Sequence, residues 1–363
     1  MLFDPKPKES RKDLFDRENE LMELKNSIEH GPLITLCIGV RRSGKTSLIR
    51  TFMNEYRYPS LYLDARKLSD YGYSRAGFLR LIADGFNEYR GLVDKLKDHL
   101  KKIKGVRISQ IGIEFEYSSR DVSFSSILEQ LDRYAEKHET IFLVVFDEAQ
   151  ELRFLSGYRK LDIRKIIAWS YDTLHNIKFI LTGSEVGLLH EFLGFSDPES
   201  PLYGRVKNIV TVDRFSKEKS LEFLEVGFNE IGFSPPKEVL ETVVEKLDGI
   251  PGWLALYGYI VAQKKRFDVL EEVFEEAITL ALSEISKLKK YSELYLYVLR
   301  AIAIDCNTWK CIKNYIETKT GKVLANARLY YILKNLENFS IITKENDEYV
   351  FLDPIYREAS KRI

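Results

Sequence analysis

Cysteine is scarce in this 363-residue chain: Cys37, Cys306 and Cys311 are all it has. So low and odd a count predicts no disulfide framework and a reducing, cytoplasmic setting. Cys306 and Cys311 have neither a second pair nor a nearby histidine, and the 5 histidines do not cluster, which argues against a zinc site. Net charge is missing as well, since 55 Lys and Arg balance 55 Asp and Glu. Global charge therefore says nothing for or against nucleic acid, and any basic patch must be local. Membrane-spanning runs are lacking too. The most apolar late stretch, GIPGWLALYGYIVA at 249–262, is short, holds Gly and Pro, and reads as a buried helix with its loop. The segment MLFDPKPKESRKDLFDREN has no apolar core of the signal-peptide kind, so no membrane partner is expected. Internal repeats and low-complexity segments are not found.

What is present describes a soluble globular chain of two or three domains, 45% hydrophobic and 30% charged. Abundant Lys and Glu beside few Cys and Met leans toward a heat-adapted source. Residues 13–29 show Leu21, Leu24 and Ile28 at helical spacing, with Asp16 or Asn19 as the expected N-cap. Continuous apolar runs of strand length lie at 33–38, 60–64, 141–146, 177–182 and 209–212. Helical patterns fall between them, including 74–90, 124–138 and 163–174. Such alternation predicts a parallel sheet with helices on both faces, over residues 1–215. Residues 101–119 break the pattern: Val106, Ile108, Ile111, Ile113 and Phe115 recur at period two and predict an inserted hairpin. Residues 216–286 carry four helical patterns and no strand, and read as a helical lid domain. From 287 to 363 three helices (291–304, 308–318 and 324–337) precede FSIITKENDEYVFLD, where Ile341 and Ile342 would face Tyr349, Val350 and Phe351 across a turn. That is a winged helix-turn-helix pattern.

The chemistry concentrates at LITLCIGVRRSGKTSLIR. Gly39, Val40, Arg41, Arg42, Ser43, Gly44, Lys45 and Thr46 fit G-x-x-x-x-G-K-[ST]. Glycines let the backbone curl so that its amides face phosphate oxygens, and the following helix, from Lys45, Thr46 and Ser47 onward, adds its positive end. Lys45 would reach the β- and γ-phosphates, and the Thr46 hydroxyl would take one place on Mg2+. IFLVVFDE at 141–148 is an apolar strand ending in two carboxylates. Asp147 would hold the metal, directly or through water, and Glu148 would polarise the attacking water. Gln150 lies in the same run. IKFILTGS ends in Thr182, Gly183 and Ser184, where a hydroxyl would orient water or sense the γ-phosphate. In SPLYGR, Arg205 follows a Pro/Gly-rich loop and is a candidate γ-phosphate cation.

The segments LFDRENELMEL, GVRRSGKTSL, FLVVFDEAQ, FILTGS, SPLYGR and DGIPGWL together resemble the archaeal ATPase family, in the STAND class of AAA+-like P-loop NTPases, over about residues 10–355. The resemblance implies that Asp16, Arg17 and Glu18 lie near the nucleotide base, and that Gly249 and Pro251 form a turn through which the helical domain packs on adenine. It further implies a γ-phosphate sensor or finger at Arg205, acting in its own subunit or on a neighbour's nucleotide. The first sensor would be Thr182 or Ser184, on a strand between the two strands that carry the phosphate loop and Asp147. In this class the winged helix commonly packs against the nucleotide domain in the closed state.

The C-terminal part, from Lys287, holds 14 Lys and Arg against 9 Asp and Glu. Its third helix would present Asn326, Arg328, Tyr331 and Lys334, flanked by Lys310, Lys313, Lys319 and Lys322. Duplex DNA is one candidate partner, and a protein or a second copy is the other. The leading reading is an ATP-driven switch, with ATP and Mg2+ bound and ADP as product. Its rivals are a DNA-binding protein regulated by its NTPase, a non-catalytic nucleotide-binding scaffold, and, more remotely, a small-molecule kinase.

Overall fold

The computed structural model describes residues 1–88, 90–109, 112–116, 122–157 and 161–363, with side chains of 90, 156 and 157 left aside. The expected apolar runs become the parallel strands β1 (Ile34–Ile38), β2 (Ser60–Asp64), β5 (Phe142–Asp147), β6 (Ile177–Gly183) and β7 (Lys207–Thr211). Their spatial order is β2-β5-β6-β1-β7. β6 thus lies between β1 and β5 in the sheet, as the resemblance implied.

Period-two alternation divides the sheet's side chains between two apolar layers. Ile34, Leu36, Leu61, Leu63, Phe142, Val144, Phe146, Phe179 and Leu181 face the layer built on helices Arg75–Glu88, Phe124–Lys137 and Ile163–Thr173. Cys37, Tyr62, Leu143, Val145 and Ile180 face the opposite layer, closed by helices Glu18–His30 and Lys45–Tyr56. Both faces are covered, which is why these strands read as unbroken apolar runs.

The hairpin forms from β3 (Val106–Ile108) and β4 (Ile113–Phe115), in the register Val106 to Phe115 and Ile108 to Ile113. It is a separate two-stranded sheet, tied to helix Arg75–Glu88 by Asn87, which donates to the Ile113 carbonyl at 3.2 Å and accepts from its amide at 2.8 Å. The expected Ile111 lies outside the described residues.

The segment expected to be the lid contributes helices Lys217–Glu230, Lys237–Leu247, Pro251–Lys264 and Leu270–Ser286. The winged helix has helices Leu294–Ala303, Trp309–Thr320 and Asn326–Asn338, then β8 (Ile342–Glu345) and β9 (Glu348–Phe351). A further helix, Pro354–Lys361, was not foreseen and returns against Leu270–Ser286. One apolar cluster runs through both parts, from Leu224, Tyr257 and Ile278 to Val298, Leu329 and Ile355.

Two sequence expectations are corrected here. Neither Asp16 nor Asn19 caps the first long helix: Arg17 is the N-cap residue, without a side-chain cap, and Asp16 sits in the left-handed region with φ 50°. The Arg17 guanidinium turns inward to the carbonyls of Ser43 and Asp213. Cys306 and Cys311 form a disulfide, against the expectation of none. The short turn before helix Trp309–Thr320 brings their Cα atoms to 5.3 Å, within bridging reach. Cys37 is free and buried.

Residues 2–9 bridge the lid and the phosphate-loop helix. Phe3, fully buried, packs edge-on against Phe223 and Phe228 with ring centroids 5.7 and 4.9 Å away. Its ring rests on Gly227 and Gly258, where an added Cβ would lie 2.3 Å from it. At the other end, the Lys8 amide donates to Ser47 Oγ at 3.0 Å and Asn54 donates to the Glu9 carbonyl at 2.8 Å. Phe3→Ala is expected to cost about 3–5 kcal/mol, since the two glycines cannot refill the hole, and denaturant unfolding measures it.

Candidate nucleotide site

The phosphate loop connects β1 to helix Lys45–Tyr56. At Gly39 an added Cβ would fall 2.2 Å from the Val212 carbonyl, so β7's exit and the loop pack too closely for any side chain. Gly44 is the helix N-cap at φ 100°, with no side-chain cap. The first-turn amides of that helix are therefore left for a ligand. Lys45 is only 5% exposed. Its ammonium donates to the carbonyls of Gly39 and Val40, both at 2.8 Å. Burial lowers its pKa, opposed chiefly by the charge of Glu148. The Ser43 hydroxyl is buried and has no partner among the described residues.

Asp147 ends β5 and is 1% exposed. Three hydroxyls hold it: Thr46 at 3.0 Å and Tyr62 at 2.5 Å on Oδ2, and Thr182 on Oδ1. Thr182 also accepts the Glu148 amide at 3.0 Å. Glu148 adopts φ 52°, and its Oε2 accepts from Gln150 at 2.6 Å and from the Ser184 hydroxyl and amide at 2.7 and 3.2 Å. Burial alone would raise its pKa. The Lys45 charge and the hydrogen bonds from Gln150 and Ser184 outweigh burial, so the carboxyl ionises below its ordinary range. Thr46 and Asp147 form a hard oxygen donor pair at the lip of the loop, a set that suits Mg2+ with water completing its shell.

These groups line a cavity of about 460 Å³. That is within the usual size of small-ligand sites. One wall is the loop, Glu148, Gln150 and Ser184; another is apolar, with Leu14, Phe15, Phe215, Phe223, Pro251 and Ala255. Pro251 begins its helix, and the carbonyl of Gly249 before it, a residue at φ 66°, accepts the Phe215 amide at 2.9 Å. Residues 2 and 4–8 close a third side.

The other candidates are placed as follows. Arg17 lines the cavity and donates to the carbonyls of Ser43 at 3.1 Å and Asp213 at 2.6 Å. Asp16 turns to Lys219 at 3.6 Å, and Glu18 bonds Arg11 at 3.1 Å; neither lines the cavity. Of the two candidates for the first sensor, Thr182 bonds Asp147 and Ser184 bonds Glu148.

Arg205 is not brought to the site, which corrects the expectation of a γ-phosphate contact within its own subunit. Lys207, two residues on, pairs with Ile34 at the start of β1, whereas the phosphate loop follows the strand's end at Ile38. A strand of that length spans about 16 Å. Arg205 instead forks onto Asp172, at 2.7 Å for its second contact, and stacks 4.9 Å from Tyr171.

Sequence reasoning missed Tyr62, whose alternation in SLYLD marks its face but not its reach to Asp147. It also missed the wall made by residues 2 and 4–8, and Glu185 and Glu284, which hold the loop arginines. Among the described residues no helix is long and apolar enough to cross a membrane.

Thr182→Val should cost about 1–3 kcal/mol, because it strips both the Asp147 carboxylate and the Glu148 amide of a partner; Thr182→Ser should recover most of it, as denaturant midpoints will report. Arg205→Ala should cost under about 1 kcal/mol and leave nucleotide affinity of the isolated chain unchanged in a titration.

The profile of an ATPase domain predominantly from Archaea matches residues 14–256, and that of the MCM protein C-terminal winged helix-turn-helix domain matches residues 289–352. The Walker-type ATPase PABY2304 of Pyrococcus abyssi is 37% identical over 100% of both chains, with a TM-score of 0.85. The ORC2 protein of Aeropyrum pernix, solved as ADPNP-ADP complexes, is 15% identical over 99% of this chain and 95% of that one, with a TM-score of 0.64. That second likeness is one of fold. No curated protein matches. Matched to the family through its nucleotide core and to a Walker-type ATPase along its entire length, the chain belongs to the predominantly archaeal ATPase domain family and ends in a winged helix-turn-helix.

Proposed function

We propose that the chain is an ATP-binding and ATP-hydrolysing switch of the cytoplasm, in which nucleotide state controls the arrangement of the C-terminal winged helix. In this reading it works as three units, divided near residues 215 and 286. Lys45 leaves its own loop carbonyls for the β- and γ-phosphates, and the amides of the loop and first helical turn surround the anion. Thr46 and Asp147 would hold Mg2+, which when bound neutralises phosphate charge. Glu148, kept ionised by Lys45 with Gln150 and Ser184 and oriented by the last two, takes the proton of the attacking water, leaving ADP and phosphate. Arg17, Gly249 and Pro251 shape the base side.

One observation carries the switch. Three consecutive residues join the site to the winged helix: Ser184 bonds Glu148 at 2.7 Å, and the Val186 amide donates to Ser340 Oγ at 3.0 Å. The helix they open, Val186–Leu193, receives Asn338 on Glu191 at 2.8 Å. A change at Ser184 on γ-phosphate loss is thus felt at the end of the recognition helix without a long relay.

A second reading has its own support. Helix Asn326–Asn338 exposes Asn326, Arg328, Tyr330, Tyr331 and Lys334, beside Lys319 and Lys322, a face suited to a phosphate backbone. The wing tip, in contrast, carries Glu345, Asp347 and Glu348.

Steady-state turnover with Mg-ATP, with and without duplex DNA at several salt concentrations, tests both. Lys45→Ala should abolish nucleotide binding, and Glu148→Gln should keep binding while lowering turnover by about 100-fold or more. Full hydrolysis by Glu148→Gln would refute the assigned base. DNA stimulation that fades with salt would favour the second reading.

A further inference from the structure

The motif fixes the chemistry of Gly39, Gly44, Lys45 and Thr46 but leaves the side chains between them unassigned. Two of these are arginines, and the structure treats them differently. Arg42 is built in. Its guanidinium stacks 4.1 Å above Trp253, Nη2 bonds Glu284 Oε1 at 3.1 Å, and its carbonyl accepts the Gly252 amide at 3.0 Å. Arg41 is held, among the described residues, by two carboxylates, Glu185 at 3.1 Å and Glu284 at 3.3 Å, and its side chain is 42% exposed.

Arg41 also stands at a junction. It lines the 460 Å³ cavity and a neighbouring one of about 350 Å³ between the nucleotide core and the winged helix. Glu185 and Glu284 line both as well. Glu185 directly follows Ser184. Glu284 lies on helix Leu270–Ser286 and accepts the hydroxyl of Tyr356, on the helix after the wing. Glu185 is a poorly solvated carboxylate: burial pushes its pKa up in spite of Arg41 and Arg153.

Glu148, Glu151, Glu185 and Glu284 all line the cavity a triphosphate tail would enter. Of the other cations along it, Arg17 is spent on the carbonyls of Ser43 and Asp213, Arg42 on Trp253 and Glu284, Lys8 on the Asp4 carbonyl and Arg66 on Asp64. Arg41, on the phosphate loop itself and loosely held, is the one of these placed to move onto a third phosphate, and Arg205 is at the far end of the strands. We propose that Arg41 is the γ-phosphate cation of this site, held on Glu185 and Glu284 as the structure shows it and transferred to the γ-phosphate when a nucleoside triphosphate binds. The guanidinium fork suits a doubly charged phosphate better than two separate carboxylates. Its departure removes one of the two loop arginines from Glu284, and so weakens the tie between the loop and the helices that flank the wing. ADP, lacking the third phosphate, leaves Arg41 where it is.

This inference rests on nucleotide binding at the loop, and its test keeps the two apart. Affinities of the full chain for Mg-ADP and for a non-hydrolysable ATP analogue are measured by calorimetric titration. Arg41→Ala should weaken the analogue by roughly 10- to 100-fold, the range of a charge-assisted contact, and change ADP less than about threefold. Arg41→Lys, with the charge but not the fork, should fall between. Glu284→Gln removes a competitor and should tighten the analogue more than it tightens ADP. ADP binding by each variant also reports that it is folded. Equal losses for both nucleotides, or none for the analogue, would overturn the inference. Lys45→Ala that binds both nucleotides normally would overturn the site itself.

Discussion

A charge buried at a strand tip is the constraint from which the site follows. Asp147 is almost without solvent, and an isolated carboxylate there is prohibitive unless its oxygens are bonded. The hydroxyls that meet it come from three other elements: Thr46 from the phosphate-loop helix, Tyr62 from β2 and Thr182 from β6. Satisfying one group therefore fixes the relative height of β2, β5, β6 and the helix. Thr182 then holds the Glu148 amide, and Ser184 and Gln150 hold its carboxylate. The order β2-β5-β6-β1-β7 makes this possible, because it sets the tip of β6 between the loop and Asp147.

The second half of the molecule is organised by apolar burial. The lid and the winged helix share one cluster, into which Leu2 and Phe3 are inserted. The Trp253 indole donates to the buried Asp353 at 3.0 Å, so a lid residue fixes the start of the last helix. Polar ties then connect this block to the nucleotide core, among them Arg42 and Arg41 on Glu284, the Gly252 amide on the Arg42 carbonyl, Lys219 on Asp16, Val186 on Ser340, and Asn338 on Glu191. A large apolar union on one side and mostly polar ties on the other is the arrangement in which the second contact yields first.

Much of this was legible from residue order. Five strands appear within two residues of their expected limits, because both sheet faces are covered and the runs are unbroken. The loop is legible because phosphate binding needs particular backbone freedom at fixed spacing. Helix Pro354–Lys361, the disulfide and the inward turn of Arg17 were not. Each depends on a partner remote in the chain or on a turn geometry that composition does not encode: Arg17, for example, is set by the carbonyls of Ser43 and Asp213. Arg205 shows the same limit in reverse. Its motif suggested the phosphate, but only the pairing of β7 with β1 reveals that it lies at the opposite end of the strands.

By itself, then, the sequence determined what local physics can specify: alternation and apolar runs, a glycine-bounded anion loop, and two carboxylates after a buried strand. Tertiary structure decided which charges meet. Coulomb attraction and hydrogen bonding act over a few ångströms in space without regard to chain separation, so the partners of Asp147, Arg41 and Arg205 became known only when distant segments were brought side by side.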